Sequence, residues 1–110
     1  MGKQFLKVGD SDALESLLNN SNERPVVVFK HSNSCAISAA AYREMQQLDS
    51  EVVLVEVQSA RDVSQQLADI TGVRHESPQV IVLRNGKAVW NASHFDVKAQ
   101  EVAKVLQTNQ

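Results

Sequence analysis

Three short runs of aliphatic and β-branched residues punctuate this chain: Val26-Val-Val-Phe29, Val52-Val-Leu-Val-Glu-Val57 and Val80-Ile-Val-Leu83. They are too brief for core helices, and an uninterrupted apolar run reads as a strand covered on both faces. The segments between them carry apolar residues at three- and four-residue intervals, as amphipathic helices do. Leu14, Leu17 and Leu18 form one such stripe, Ile37, Ala41, Met45 and Leu48 a second, and Val63, Leu67 and Ile70 a third. Phe95, Ala99, Val102 and Leu106 mark a last helix. Asp12-Ala-Leu-Glu15 and Asp62-Val-Ser-Gln65 have capping-box form, and Gly72 is placed to end the third helix. A further short strand is expected over residues 3–8. Asn85-Gly86, between Val80–Leu83 and Ala88–Trp90, is a tight-hairpin signal, because both turn residues must accept positive φ. The expected order is therefore β α β α β α β β α. This is an α/β fold with a central mixed sheet, parallel units closed by a terminal antiparallel hairpin, flanked by helices.

The chain has 110 residues, 43% of them hydrophobic and 22% charged, with 4 Gly and 2 Pro, and no repeat or low-complexity tract. One domain over residues 1–110 is expected, large enough to bury about two-thirds of its unfolded surface. A formal net charge of -2, with both signs mixed along the chain, offers no broad field for nucleic acid or anionic lipid. The apolar runs fall far short of the roughly 20 residues that cross a bilayer. The opening Gly2-Lys-Gln-Phe-Leu-Lys7 lacks the apolar stretch of a secretory signal. The expected setting is the cytoplasm, with neither nucleic acid nor membrane as partner.

Cys35 is the only cysteine, so no internal disulfide can form. A free cysteine is often a small apolar filler. Its position argues for reactivity instead, since it follows a polar loop on a central strand and is expected to stand in the first turn of the second helix. Ligands of such sheets meet the carboxyl ends of the strands. Unpaired N–H groups and the positive end of a helix dipole favour a thiolate at a helix start. Lowering a thiol pKa from about 8.5 to about 7 raises the thiolate fraction at pH 7 some 16-fold, and weaker nucleophilicity takes back roughly 5-fold. Attack therefore gains only about threefold, but the same shift makes the thiol a better leaving group. Cys35 is thus the expected catalytic nucleophile, with Ser34, Ala36, Ile37, Ser38 and His31 as thiolate-supporting neighbours. Ser38 is either a hydrogen-bond donor to the sulfur or an ordinary solvated helix serine. Lys30 and His31 either add positive potential or are surface residues. His75 and His94 are too scattered relative to Cys35 for a metal-ligand set, and no metal is expected. Trp90 and Tyr42 read as packing rather than a base-stacking platform.

The element order, Cys35-Ala-Ile-Ser38 at a strand-to-helix turn, Ser77-Pro78 before Val80–Leu83, and Arg84-Asn-Gly-Lys87 together resemble the thioredoxin superfamily. Within it, Phe29-Lys-His-Ser-Asn-Ser-Cys-Ala-Ile-Ser-Ala-Ala-Ala-Tyr42 resembles the monothiol bacilliredoxins, whose usual motif is Cys-Pro-Ile-Ser. The resemblance implies a monothiol thiol–disulfide oxidoreductase that removes bacillithiol from S-thiolated cytosolic proteins. It places Cys35 at the nucleophile position and Ser38 at the vacant resolving position. Bacillithiol would be a co-substrate rather than a bound cofactor, and the other partners would be S-thiolated proteins and a partner reductase. It also implies a cis Ser77-Pro78 bond opposite the thiol, with the Ser77 backbone pairing to substrate, where the ordinary reading is a proline at the edge of a strand. Ala36 replaces the family's proline and leaves one more N–H donor near the sulfur. A non-catalytic peptide-binding module and a single-cysteine redox sensor are the alternatives.

Overall fold

A computed structural model of the protein describes residues 5–32 and 36–110. Its elements run β1 (Phe5–Lys7), α1 (Ser11–Asn20), β2 (Val26–His31), α2 (Ala36–Gln46), β3 (Val52–Glu56), α3 (Arg61–Thr71), β4 (Gln79–Arg84), β5 (Lys87–Ser93) and α4 (Ala99–Thr108), with one 3-10 turn at His94–Asp96. The βαβαβαββα order is as expected. The five strands lie side by side as β1-β3-β2-β4-β5. β1, β3 and β2 are mutually parallel, β4 runs antiparallel to β2, and β5 antiparallel to β4.

The apolar runs form the middle of the sheet, and their side chains alternate between two cores, as the period of two requires. Val26 and Val28 of β2, Val53 and Val55 of β3, and Ile81 and Leu83 of β4 meet Leu14 and Leu17 of α1 and Val63 and Leu67 of α3. Val27, Phe29, Val52, Leu54, Val80 and Val82 face the other way, against Ala41 and Met45 of α2 and Val102 of α4. In β5, Ala88 joins the first core while Trp90 joins the second. A register shift at Val82/Leu83 leaves Val89 without a partner, and that extra residue turns the strand over between them. Trp90 and Tyr42 are half-buried packing residues, with Tyr42 stacked on Phe5 at 4.7 Å between ring centroids.

The Asn85-Gly86 turn forms as expected, with φ of 58° and 74°. Three of its contacts were not foreseeable from local pattern. Ser21, buried at the end of α1, accepts from Asn85 N–H at 2.7 Å through its carbonyl and from Gly86 N–H at 2.8 Å through Oγ. Arg84 donates to the same carbonyl at 3.0 Å.

The helix starts correct both capping boxes. α1 is capped by Asp10, whose carboxylate accepts from Ala13 N–H at 2.9 Å, so Asp12 lies inside the first turn. The extended backbone at Asp10 makes it the residue able to reach that amide. α3 begins after Ala60 with no side-chain cap, leaving Asp62 and Gln65 inside the helix. Gly72 ends α3 in the left-handed conformation, as expected. Ile70 lies on the outer side of α3 and is half exposed, because Val63, Ser64 and Leu67 already fill the face against the sheet. Phe95 does not belong to α4. It sits in the 3-10 turn, 67% exposed, and Val97 takes the buried place. α4 has no side-chain cap of its own; Glu44 of α2 accepts from Ala99 N–H at 2.8 Å.

Asp10→Ala should destabilise the protein by about 1 kcal/mol in chemical denaturation, and Asp12→Ala by much less. Equal effects would contradict the assignment of the cap to Asp10.

Candidate thiol site

The alternation along β2 sends consecutive residues to opposite sides of the sheet. Lys30 follows Val26 and Val28 toward α3, and His31 follows Val27 and Phe29 toward α2. His31 lies 5.4 Å from the Phe29 ring and 5.0 Å from the Tyr42 ring, centroid to centroid. Its Nδ1 is 2.9 Å from Ser38 Oγ, and that hydroxyl also accepts from Ser32 N–H at 2.9 Å.

Ser38, the third residue of α2, is fully buried. It is therefore not a solvated helix serine. Its hydroxyl ties the end of β2 to the first turn of α2 across the segment that carries the cysteine. Burial is the largest influence on His31 and lowers its pKa below 6.5, against the opposing pull of the Glu56 carboxylate and of Ser38. The ring is accordingly neutral at pH 7, and His31 supplies a hydrogen bond rather than positive potential. In one tautomer Ser38 O–H donates to Nδ1. In the other Nδ1–H donates to Ser38, and the hydroxyl proton stays available to another acceptor.

Cys35 and Ser34 lie outside the described residues. Around them stand Ser32 on one side and Ala36 and Ile37, the first two residues of α2, on the other. Ala36 is exposed and Ile37 half-buried. Ala36 retains the N–H that a proline would lack, at a helix position where that donor has no partner within the helix.

Ser77-Pro78 is a cis peptide at the same end of the sheet. β4 and β2 pair as far as Gln79 with Lys30, and one step further brings Pro78 level with His31. Pro78 stands immediately before β4, as a proline starting a strand would, but that strand is not at the sheet's edge: β4 is paired on both sides, Pro78 is buried, and its carbonyl accepts from His94 N–H at 2.9 Å. The Ser77 side-chain oxygen is buried without a partner among the described residues.

Lys30 corrects the expectation of a surface residue, since none of it is exposed. Its ammonium donates to the Ser64 carbonyl at 3.2 Å and lies 3.3 Å from His75 Nδ1. Desolvation lowers its pKa from 10.5 to about 8. His75 is lowered too, by burial first and by the Lys30 charge second. Among the described residues no group of three His, Cys, Asp or Glu side chains could hold a metal ion, and no helix is long and apolar enough to cross a membrane.

Two outcomes follow from this geometry. Ser38→Ala leaves Ser32 N–H and His31 Nδ1 unpaired and should cost about 1–3 kcal/mol in denaturant unfolding; a loss under about 0.5 kcal/mol would contradict the buried hydrogen bonds. For Lys30, the unfolded chain holds its proton up to about 10.5 while the folded chain releases it near 8, so this group's penalty is largest below pH 8 and fades toward 10.5. Stability of the native protein should thus gain on Lys30→Met across that interval, and parallel stability curves would refute a buried amine.

A family model, Monothiol bacilliredoxin BrxC, matches residues 6–102. A solved structure described as a candidate oxidoreductase with a thioredoxin fold is 35% identical, with 91% of each chain covered and a TM-score of 0.84. Thioredoxins of Fasciola hepatica (16% identity, 98% of this chain and 100% of that one, TM-score 0.71) and Schistosoma mansoni (pre-protein, 18%, 96% and 98%, TM-score 0.69) share the fold. With a cis-proline leading into the antiparallel strand of a sheet of this order, and one cysteine in its sequence, the chain belongs to the monothiol bacilliredoxin family of thioredoxin-fold oxidoreductases.

Proposed function

We infer that this protein is a monothiol thiol–disulfide oxidoreductase that removes bacillithiol from S-thiolated cytoplasmic proteins. Membership of the family carries a thiol redox role. What supports the single-thiol route is Ser38. The position where a second sulfur would resolve a mixed disulfide is filled by a buried hydroxyl engaged with Ser32 and His31. A hydroxyl cannot form a disulfide, so resolution must come from a thiol on another molecule.

The reaction is two exchanges with no net oxidation. The Cys35 thiolate attacks the bacillithiol sulfur of a protein–bacillithiol disulfide. A new S–S bond forms to Cys35, the old one breaks, and the protein cysteine leaves as thiolate and takes a proton. A second bacillithiol, or the thiol of a partner reductase, then attacks the bacillithiol sulfur of the Cys35 adduct; the Cys35 thiolate leaves, and the bacillithiol departs as a disulfide with the attacking thiol. Leaving-group ability and attack both depend on the acidity of Cys35, which is why a sulfur beside the unpaired N–H groups of a helix start suits both directions. Ser77-Pro78, level with His31 at the end of β2, is the proposed place for the extended chain around the modified cysteine.

Intact mass spectrometry of the protein mixed with a bacillithiolated substrate tests this. The bacillithiol adduct should appear on Cys35 as the substrate loses it, and Cys35→Ser should abolish transfer. A native protein that never acquires the adduct would overturn the reading, and partner binding that survives Cys35→Ser would point to a docking module instead.

A further inference from the structure

A cavity of about 350 Å³ opens at the carboxyl ends of β2 and β3, against the first turns of α3. Ser32, Arg61, Ser64, Gln65 and His75 line it. Ser32 is three residues from Cys35, a chain distance of at most about 11 Å. The cavity is therefore within reach of a small molecule whose sulfur is bonded to the thiol.

Three observations give this cavity a chemical preference. Ser64 borders it and is only 4% exposed, and its buried hydroxyl has no hydrogen-bond partner among the described residues. A buried hydroxyl left unpaired disfavours the fold unless something else accepts its proton. Beneath it, the buried Lys30 ammonium contacts the Ser64 carbonyl and the His75 ring, both belonging to cavity residues, and none of the ion pairs among the described residues includes it. At the rim stands Arg61, exposed and likewise outside those ion pairs, whose guanidinium can grip a carboxylate with two parallel hydrogen bonds. Among the described residues, no carboxylate pairs with the guanidinium at the rim or with the desolvated cation beneath Ser64 and His75, and the buried Ser64 hydroxyl has no acceptor, in a chain whose net charge is -2.

We propose that the cavity bounded by Ser32, Arg61, Ser64 and His75 is the subsite for the anionic tail of the small thiol that exchanges with Cys35. The proposal rests on the exchange reading above and adds what that reading leaves open, namely the part of the protein that selects the thiol. The malyl carboxylates of bacillithiol and the phosphates of coenzyme A share the required chemistry. The paired geometry of a guanidinium with a carboxylate favours the former.

The test compares rates of Cys35 adduct formation with three disulfides: oxidised bacillithiol, coenzyme A disulfide and neutral bis(2-hydroxyethyl) disulfide. In Arg61→Gln the rate with oxidised bacillithiol, relative to the neutral disulfide, should fall about tenfold. A fall confined to coenzyme A disulfide would place phosphate in the subsite and still support an anion site. An unchanged ratio for both anionic disulfides would overturn the proposal. Direct binding separates this from failure of the exchange reading. In Cys35→Ser protein, reduced bacillithiol should shift the backbone amide resonances of Arg61, Ser64 and His75 saturably, and Ser64→Ala should weaken that binding while leaving thermal stability equal or higher. If native Cys35 is inert to every disulfide but the titration succeeds, the subsite stands and the exchange reading falls. If the titration shows no saturable shift, the subsite falls.

Discussion

The Ser38 hydroxyl meets two parts of the chain that must be held together for a thiol to be presented at all. It accepts from Ser32 N–H and pairs with His31 at the end of β2, while its own backbone lies in the first turn of α2. The residues it spans include Cys35. Because the hydroxyl is sealed from water, loss of either partner would leave an unpaired polar group in a poor dielectric, and the strand end and helix start are therefore held in one relation. The Ser38 hydroxyl thus fixes the end of β2 against the start of α2.

The same strand end divides charge from neutrality. Lys30 and His31 are adjacent, yet the pleat delivers the ammonium to the α3 side and the imidazole to the α2 side. Burial acts on both, lowering each pKa, with opposite consequences near pH 7. Histidine becomes neutral and serves as a hydrogen-bonding strut. Lysine remains largely protonated, because its value near 8 still lies above neutrality, and it holds a buried positive charge against Ser64 and His75, two residues that border the cavity beside α3. One face of the site is a fixed scaffold and the other is electropositive.

The architecture was legible because its signals are periodic or local. Continuous apolar runs identified β2, β3 and β4, and Asn85-Gly86 identified the hairpin, since few other residues accept two successive positive φ values. Both caps lie two residues before the capping-box pattern: at α1 Asp10 and Asp12 satisfy similar patterns and only backbone conformation distinguishes them, while at α3 the position is Ala60, which carries no capping side chain. Ile70 and Phe95 fit a helical stripe yet face outward, because three- and four-residue spacing cannot say where a helix begins or how wide its buried face is. At the site, a helix start near Cys35 was readable from the residues, whereas the cis Ser77-Pro78 bond was legible only through the family resemblance. Lys30 carried a signal that went unused: two residues after Val28 in a strand covered on both faces, it had to point into a core. Its partners Ser64 and His75 are 34 and 45 residues away, and Arg61 joins them only through the packing of α3, so no local pattern could have assembled that cavity.

A buried serine hydroxyl, by accepting from Ser32, holds the end of β2 against the first turn of α2. Amide hydrogen exchange at Ser32, followed residue by residue in the native protein, addresses it most directly. Strong protection, comparable with the amides of β2, is the expected result. Exchange at the rate of an unstructured loop would show that the hydroxyl does not hold this amide, and the account of the site would have to be abandoned.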